Sequence, residues 1–266
     1  MSTKKIGVVG LGLLGGSIEK RLKSKGYEVL AVSKSQGRNT ELKDLSSCEI
    51  VFLCGPQFEI LKQLEEIAQI TSKSGEAGKV PENERAFANT LITDIASTKK
   101  LISEKAESLS IKNFIGGHPM AGSEKTGYEA STPDLFENCN WILTEESEAL
   151  RKIINDLGTE NIIIMDADTH DESVAAISHL SFLLSYGLAN GLREYPHAQK
   201  VLGPSFKEMT RLANGNVEMH KEIVIANREK IKKIWRTCKS FIDGLTELPS
   251  SGLKEEMEAI KKTVKA

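Results

Sequence analysis

Six residues near the start constrain this chain most. Gly10-Leu11-Gly12-Leu13-Leu14-Gly15 spell G-x-G-x-x-G. They follow the apolar run Ile6-Gly7-Val8-Val9, which reads as a buried strand. They precede residues 17–25, where Ile18 and Leu22 lie four apart on one helical face. Strand, glycine loop, helix is the context in which this spacing cradles a dinucleotide. There Gly10 permits the tight turn, Gly12 lets the backbone approach a pyrophosphate, and Gly15 lets helix and strand pack closely. Leu13 and Leu14 open the helix, whose free N–H groups and partial positive charge favour a phosphate.

The first half of the chain keeps alternating. Residues 27–32, 49–54, 91–94, 114–117, 141–144 and 162–165 read as strands, separated by helical stretches such as 60–68 and 98–109. Strands alternating with helices imply an α/β fold, a doubly wound and mostly parallel sheet of the Rossmann type with helices on both faces. Residues 72–89 are polar with Gly and Pro, and are expected to form an extended surface loop. After Met165 no convincing strand is seen. Residues 170–192 form a long, largely apolar helical stretch expected to be buried on most sides, 218–245 form a second, and 253–264 form a charged amphipathic tail. The expected division is a dinucleotide-binding domain over 1–165 and an all-helical domain over 166–266.

Charge narrows the function. Thirty-five Lys+Arg stand against 37 Asp+Glu, a formal net charge of -2. That argues against a general nucleic-acid binder, which needs a basic excess. No apolar run reaches the roughly 18 residues of a membrane span. The four cysteines are scattered without C-x-x-C, so neither a metal site nor a disulfide framework is indicated. With no signal-peptide pattern before the first strand, the expected location is the cytoplasm.

The end of the second strand selects the dinucleotide. An acid there would hold the ribose 2′-hydroxyl of NAD and repel a 2′-phosphate. This chain has Ser33, Lys34 and Ser35, with Arg38 nearby, so NADP is expected over NAD. Cys54 and Asp94, at the ends of the third and fourth strands, complete the expected cofactor contacts. Open α/β sheets bind ligands at those ends.

Three polar clusters carry the candidate chemistry: residues 93–99, residues 116–125, and 169–171 together with 177–180. His118 follows two glycines and precedes Pro119, which biases it to an extended backbone in a rigid loop. An imidazole there suits proton removal from an alcohol near neutral pH, the partner step to hydride removal from a carbinol carbon. His179 sits among Ala175, Ala176, Phe182 and Leu183. A core histidine is the default there, and a hydrogen-bond donor to substrate at the domain junction is the alternative.

Taken together, the glycine loop, Asp94-Ile-Ala-Ser97-Thr-Lys99, Gly116-Gly-His118-Pro-Met-Ala-Gly122, Ser178-His179-Leu180 and Phe206-Lys-Glu-Met-Thr210-Arg211 resemble the prephenate/arogenate dehydrogenases. The resemblance runs colinearly from about Lys5 to past Arg228. It implies oxidative decarboxylation of a cyclohexadienyl acid, arogenate or prephenate, in tyrosine biosynthesis, by a homodimer joined through the helical domain. Carried over residue by residue, it makes His118 the acceptor for the ring C4 hydroxyl. Ser97 would orient His118 or bind that hydroxyl, and Arg211 would grip the side-chain carboxylate with its planar fork. His179, Ser123 and Glu124 would be further substrate contacts. Ser33 departs from the Asp of NAD-using members. The rival readings are a reductase of the 3-hydroxyacid or imine type, and a non-catalytic dinucleotide sensor. The first does not require His118-Pro119-Met120 with Thr210-Arg211, and the second need not keep His118, Ser97 and Arg211 together.

Overall fold

The computed structural model describes residues 4–75, 81, 84–122 and 125–265. Strands β1 (Lys5–Val9), β2 (Glu28–Val32), β3 (Ile50–Leu53), β4 (Leu91–Asp94) and β5 (Phe114–Ile115) form a parallel sheet in the order β2-β1-β3-β4-β5. Buried parallel strands alternate between two cores because side chains point to opposite faces in turn. Ile6, Val8, Ile50 and Phe52 join the core on one face, while Val9, Val51 and Leu53 join the other. Helix α1 (Leu13–Ser24) covers the first face with Ile18 and Leu22. Helices α2 (Gln57–Gly75) and α3 (Lys100–Ser108) cover the second with Ile60, Leu64 and Ile102.

The strand expected over 114–117 breaks at Gly116. Beyond it β6 (Gly117–Pro119) leaves the first sheet and pairs antiparallel with β7 (Asn140–Leu143), which pairs parallel with β8 (Asn161–Ile164). The glycines permit this. A Cβ on Gly117 would lie 2.6 Å from the Asp94 carbonyl oxygen, and one on Gly116 would lie 2.9 Å from Thr144 Cγ2. His118 is therefore a strand residue, 8% exposed and paired with Ile142, rather than a loop residue.

Between β7 and β8 runs α4 (Glu148–Leu157), capped by the Ser147 hydroxyl, which accepts from the Leu150 amide, and ended by left-handed Gly158. Its Leu150, Ile153, Ile154 and Leu157 pack with Phe136 and Trp141.

Residues 72–89 are not simple surface decoration. Residues 72–75 extend α2, and Phe87 is 3% exposed in the second core. The Asn113 amide ties this turn down by donating to the Phe87 carbonyl at 2.8 Å. Residues 76–80, 82 and 83 lie outside the described residues.

Helices α5 (Ala167–Val174) and α6 (Leu180–Glu194) are joined without a break by a π turn, Ala175–His179. Asp166 starts the run, accepting from the Asp168 and Thr169 amides at 3.0 Å. The expectation that this long helix is buried on most sides fails. Only Leu180, Phe182 and Ser185 of α6 are buried, and Ile177 and Leu188 are exposed, because among the described residues no other element covers its outer face. Then follow α7 (Pro204–Thr210), a 3-10 turn over Arg211–Asn214, α8 (Val217–Ala226), α9 (Arg228–Glu247) and α10 (Ser250–Lys265). Asn227 interrupts what reads in sequence as one helix. No helix among the described residues is long and apolar enough to cross a membrane.

Candidate active site

The glycine loop lies where the sheet's winding reverses. Helix α1 leaves β1 on one face and α2 leaves β3 on the other, and their starts meet at the carboxyl ends of neighbouring strands. Gly10 donates its amide to the Val32 carbonyl at 2.8 Å, and Cys54 donates to the Val9 carbonyl at 2.7 Å. Gly10 has φ +94°, a conformation that favours glycine. A Cβ on Gly15 would lie 1.9 Å from the Gly10 oxygen, whereas one on Gly12 would meet nothing within 4 Å. Gly15 is thus fixed by packing, and Gly12 faces open space. No side chain caps α1, so the amides of its first turn, including those of Leu13 and Leu14, remain for a phosphate. These features fit a dinucleotide.

At the end of β2, Ser33 is buried and its hydroxyl lies 3.2 Å from that of Ser35; Lys34 and Ser35 are exposed. Arg38 is not a free cation. Its Nη2 donates to Glu19 Oε1 at 3.1 Å, and the same buried carboxylate accepts from Lys23 Nζ at 2.7 Å.

Two expected cofactor residues are held within the protein itself. Cys54 lies beneath Gly15, and burial pushes its thiol above the ordinary range. Asp94 is fully buried, with Oδ1 accepting from the Gly117 amide at 3.2 Å. Its Oδ2 accepts from the Ala96 amide at 2.9 Å and from Lys99 Nζ. Lys99 is also fully buried and donates to the Gly117 carbonyl at 2.7 Å. This ion pair fixes the backbone immediately before His118. Burial lowers the Lys99 ammonium below its usual range against the opposing pull of Asp94 and Asp171.

Around His118 the structure gathers groups from both halves of the chain. His118 Nδ1 lies 2.9 Å from His170 Nε2, with the rings edge to face at 5.1 Å between centroids. His170, fully buried, places its Nδ1 2.8 Å from Asp171 Oδ1. That oxygen also accepts the Lys99 amide at 2.7 Å, and Oδ2 accepts the Lys100 amide at 3.0 Å, so Asp171 caps α3 from α5. Asn227 Nδ2 donates to the Asp171 carbonyl at 2.6 Å and to His179 Nδ1 at 3.1 Å.

Burial disfavours charge on two of these imidazoles, His118 and His179. Burial holds His118 well below its ordinary value, reinforced by His170, Lys99 and His179. Burial takes His179 down to about 4. Burial acts to raise Asp171, but the bonds from His170 and the two amides outweigh it and keep the carboxyl ionised. Because His179 Nδ1 accepts from an amide, neutral His179 carries its proton on Nε2 and is a donor there.

The other expected site residues sit as follows. Ser97 is half-buried on the turn between β4 and α3, and His118 Nδ1 is bonded to His170. Arg211 is exposed on the 3-10 turn beside α6, where the Ala213 amide donates to the Ser185 hydroxyl at 3.0 Å. Ser185 is six residues beyond His179, about 9 Å along a helix axis. Arg211 thus shares a helical scaffold with His179, but no contact joins it to His118. Ser123 and Glu124 lie outside the described residues. Sequence reasoning placed His170 and Asp171 in a polar cluster without giving them a role, and missed Asn227. The adjacent His-Asp pair at the head of an apolar helix was a usable signal, whereas Asn227 left none.

Two family models match most of the chain. Residues 83–163 match the prephenate dehydrogenase nucleotide-binding domain, and 166–265 match the prephenate dehydrogenase dimerization domain. The prephenate dehydrogenase of Lactococcus lactis is 31% identical over 97% of this chain and 74% of its own length. The chain belongs to the prephenate/arogenate dehydrogenase family. Its members are NAD(P)-dependent oxidoreductases, and the geometry of the cradle at Gly10–Gly15 fits such a dinucleotide. The prephenate dehydrogenase of Bacillus subtilis is 28% identical over 84% of the chain and 64% of its own length. Among solved structures, Synechocystis arogenate dehydrogenase superposes with a TM-score of 0.78 at 26% identity, covering 98% of this chain and 97% of that one. Prephenate dehydrogenase from A. aeolicus shares the fold, with a TM-score of 0.82 at 24% identity over 100% of this chain and 97% of that one.

Proposed function

We propose that this protein catalyses the oxidative decarboxylation of arogenate to tyrosine, or of prephenate to 4-hydroxyphenylpyruvate, with NADP as the preferred oxidant, in the cytoplasm. The observation that carries the reading is the polarity of the two imidazoles. His118 Nδ1 is engaged by His170, so Nε2 is the nitrogen left for the substrate and is read here as an acceptor, and the bond from Asn227 leaves His179 Nε2 as a donor. An acceptor suits the C4 hydroxyl of a cyclohexadienyl ring, and a donor suits an anionic or carbonyl oxygen of the same substrate.

The bound dinucleotide supplies the hydride acceptor. His118 Nε2 accepts the hydrogen bond of the C4 hydroxyl and offsets the positive charge that grows at C4 as hydride departs. Cleavage of the bond from the ring to its carboxylate returns an electron pair to the ring, CO2 leaves, and the ring becomes aromatic. Aromatisation favours the step, so the protein supplies position and one acceptor. Arg211 holds the side-chain carboxylate.

The preference for NADP rests on Ser33 and Ser35, whose hydroxyls can meet a 2′-phosphate, and on Lys34 and Arg38 around them. Glu19 offsets part of the Arg38 charge, so the two hydroxyls and Lys34 carry most of the discrimination. Exposed apolar side chains on the helices after Met165, among them Ile177, Leu188, Met209, Val217 and Trp235, support a homodimer through that region.

The test is a steady-state comparison of both acids with both dinucleotides, run beside His118→Asn. The variant should lose roughly 10²–10⁴ in turnover while binding the dinucleotide normally. Near-normal turnover in the variant, or no aromatic product from either acid with the native protein, overturns the reading. Ser33→Asp should move the cofactor ratio toward NAD, and an unchanged ratio refutes the 2′-phosphate assignment.

A further inference from the structure

Two buried polar residues at the head of α5 stand behind His118: His170 and Asp171, 0% and 2% exposed. We infer that they are positioning residues that lock His118 in its Nδ1-protonated tautomer and hold its ring in place, so that Nε2 always faces the substrate as an acceptor. The inference rests on the reading of His118 as the hydroxyl acceptor and deepens it.

The argument follows the donors. Asp171 is an ionised carboxylate and can only accept. Its Oδ1 lies 2.8 Å from His170 Nδ1, so that nitrogen carries a proton. With one proton on the His170 ring, spent on Asp171, its Nε2 is bare, 2.9 Å from His118 Nδ1, and only a proton on His118 Nδ1 makes that contact a bond. Neutral His118 is left with an unprotonated Nε2. Reversing either end reverses the outcome. Were His170 to donate through Nε2, His118 would accept at Nδ1 and carry its proton on Nε2, turned from acceptor into donor.

The surroundings hold this order. Lys99 stands behind His118 but is committed to Asp94 and the Gly117 carbonyl. His179 is neutral and committed to Asn227. Asp171 is anchored by two backbone amides at the start of α3, so it cannot turn from His170 without uncapping that helix. His170 has no exposed surface, so its role is orientation rather than passage of the proton to solvent. The chain of bonds also spans the molecule: His118 is on β6, Asp171 and His170 on α5, and the amides on α3. The acceptor is therefore set only when α5 is docked.

The test uses the whole enzyme and three variants. His170→Phe removes the acceptor, His170→Gln restores one through its side-chain carbonyl, and His118→Asn is the control. In wild type, two-bond 1H–15N spectra of the histidine side chains should show His118 with Nε2 unprotonated. His170→Phe should mix the tautomers and lower kcat by about 10²-fold or more, with KM and dinucleotide binding within about threefold. His170→Gln should recover to within roughly tenfold of wild type. A role in packing alone would reverse that order, since Phe fills the buried space better than Gln. The inference is overturned if wild-type His118 is protonated at Nε2, or if His170→Phe keeps the wild-type tautomer and kcat while His118→Asn is inactive. Activity retained in His118→Asn would instead defeat the underlying reading. Should His170→Phe fail to fold, the wild-type spectrum and His170→Gln still decide.

Discussion

Replacing Lys99 by Met tests the buried ion pair on which the His118 strand rests. Methionine keeps nearly the length and volume of the lysine stem, so the change removes the ammonium without leaving much of a hole. Three things are lost: the counter-ion of Asp94, a donor to its Oδ2, and a donor to the Gly117 carbonyl. The carboxylate keeps the Gly117 and Ala96 amides but sits fully buried with an uncompensated charge. Breaking a buried pair by removing one partner costs about 3–5 kcal/mol. For a chain of this size that corresponds to a fall of roughly 6–20 °C in Tm. The assay is urea unfolding followed by both tryptophan fluorescence and far-ultraviolet circular dichroism, whose coincidence checks for a single transition. The double variant Lys99→Met/Asp94→Asn strands no charge and should regain at least about half of the loss. A single variant within about 1 kcal/mol of wild type, or a double variant no better than the single, would refute the view that charge compensation governs this site.

The two glycines of the loop should separate cleanly. Gly15→Ala drives a Cβ into the Gly10 backbone and should lower Tm and abolish dinucleotide binding together. Gly12→Ala meets no protein atom, so it should leave Tm unchanged while weakening dinucleotide binding in a fluorescence titration; equal effects on Tm would contradict the packing described. His179 predicts a pH dependence. Its pKa is depressed from 6.5 to about 4 in the folded chain, so the unfolded chain binds its proton first as pH falls. Stability from this group is complete above pH 6.5 and is lost toward pH 4, by up to about 3 kcal/mol, and His179→Asn should flatten that slope in urea titrations. Arg211→Ala should raise KM for the acid by roughly 10–100-fold with kcat nearly unchanged, and a pure kcat effect would reassign the residue.

Much of the fold was legible because its signals are local. The apolar alternation of 6–9, 50–53 and 91–94 marks buried strands, and the glycine loop marks where the first strand turns into a helix. What was not legible depends on partners distant in sequence. Gly116 looks like part of a strand but is where one strand divides between two sheets, since only the closeness of Thr144 and Lys99 forbids a side chain there. Phe87 lies in a polar segment, and its burial depends on Asn113 holding the turn. Asp94 stands at a strand end, the usual place for a ligand contact, yet Lys99 five residues on claims it. His118 was found from Pro119 and the paired glycines, but the neighbour that fixes its ring is 52 residues away, and spacing alone cannot reveal such a bond.

The π turn at Ala175–His179 holds one residue more than a regular helix would use over the same rise. Deleting a single residue there would restore ordinary helical winding and rotate everything from Leu180 to Glu194 by about 100° relative to α5. Phe182 would leave its stack on His220, and Ser185 would release the turn that carries Arg211. A gene shortened by one codon at this point would still encode an unbroken helix, and it would aim the far half of the binding apparatus in the wrong direction.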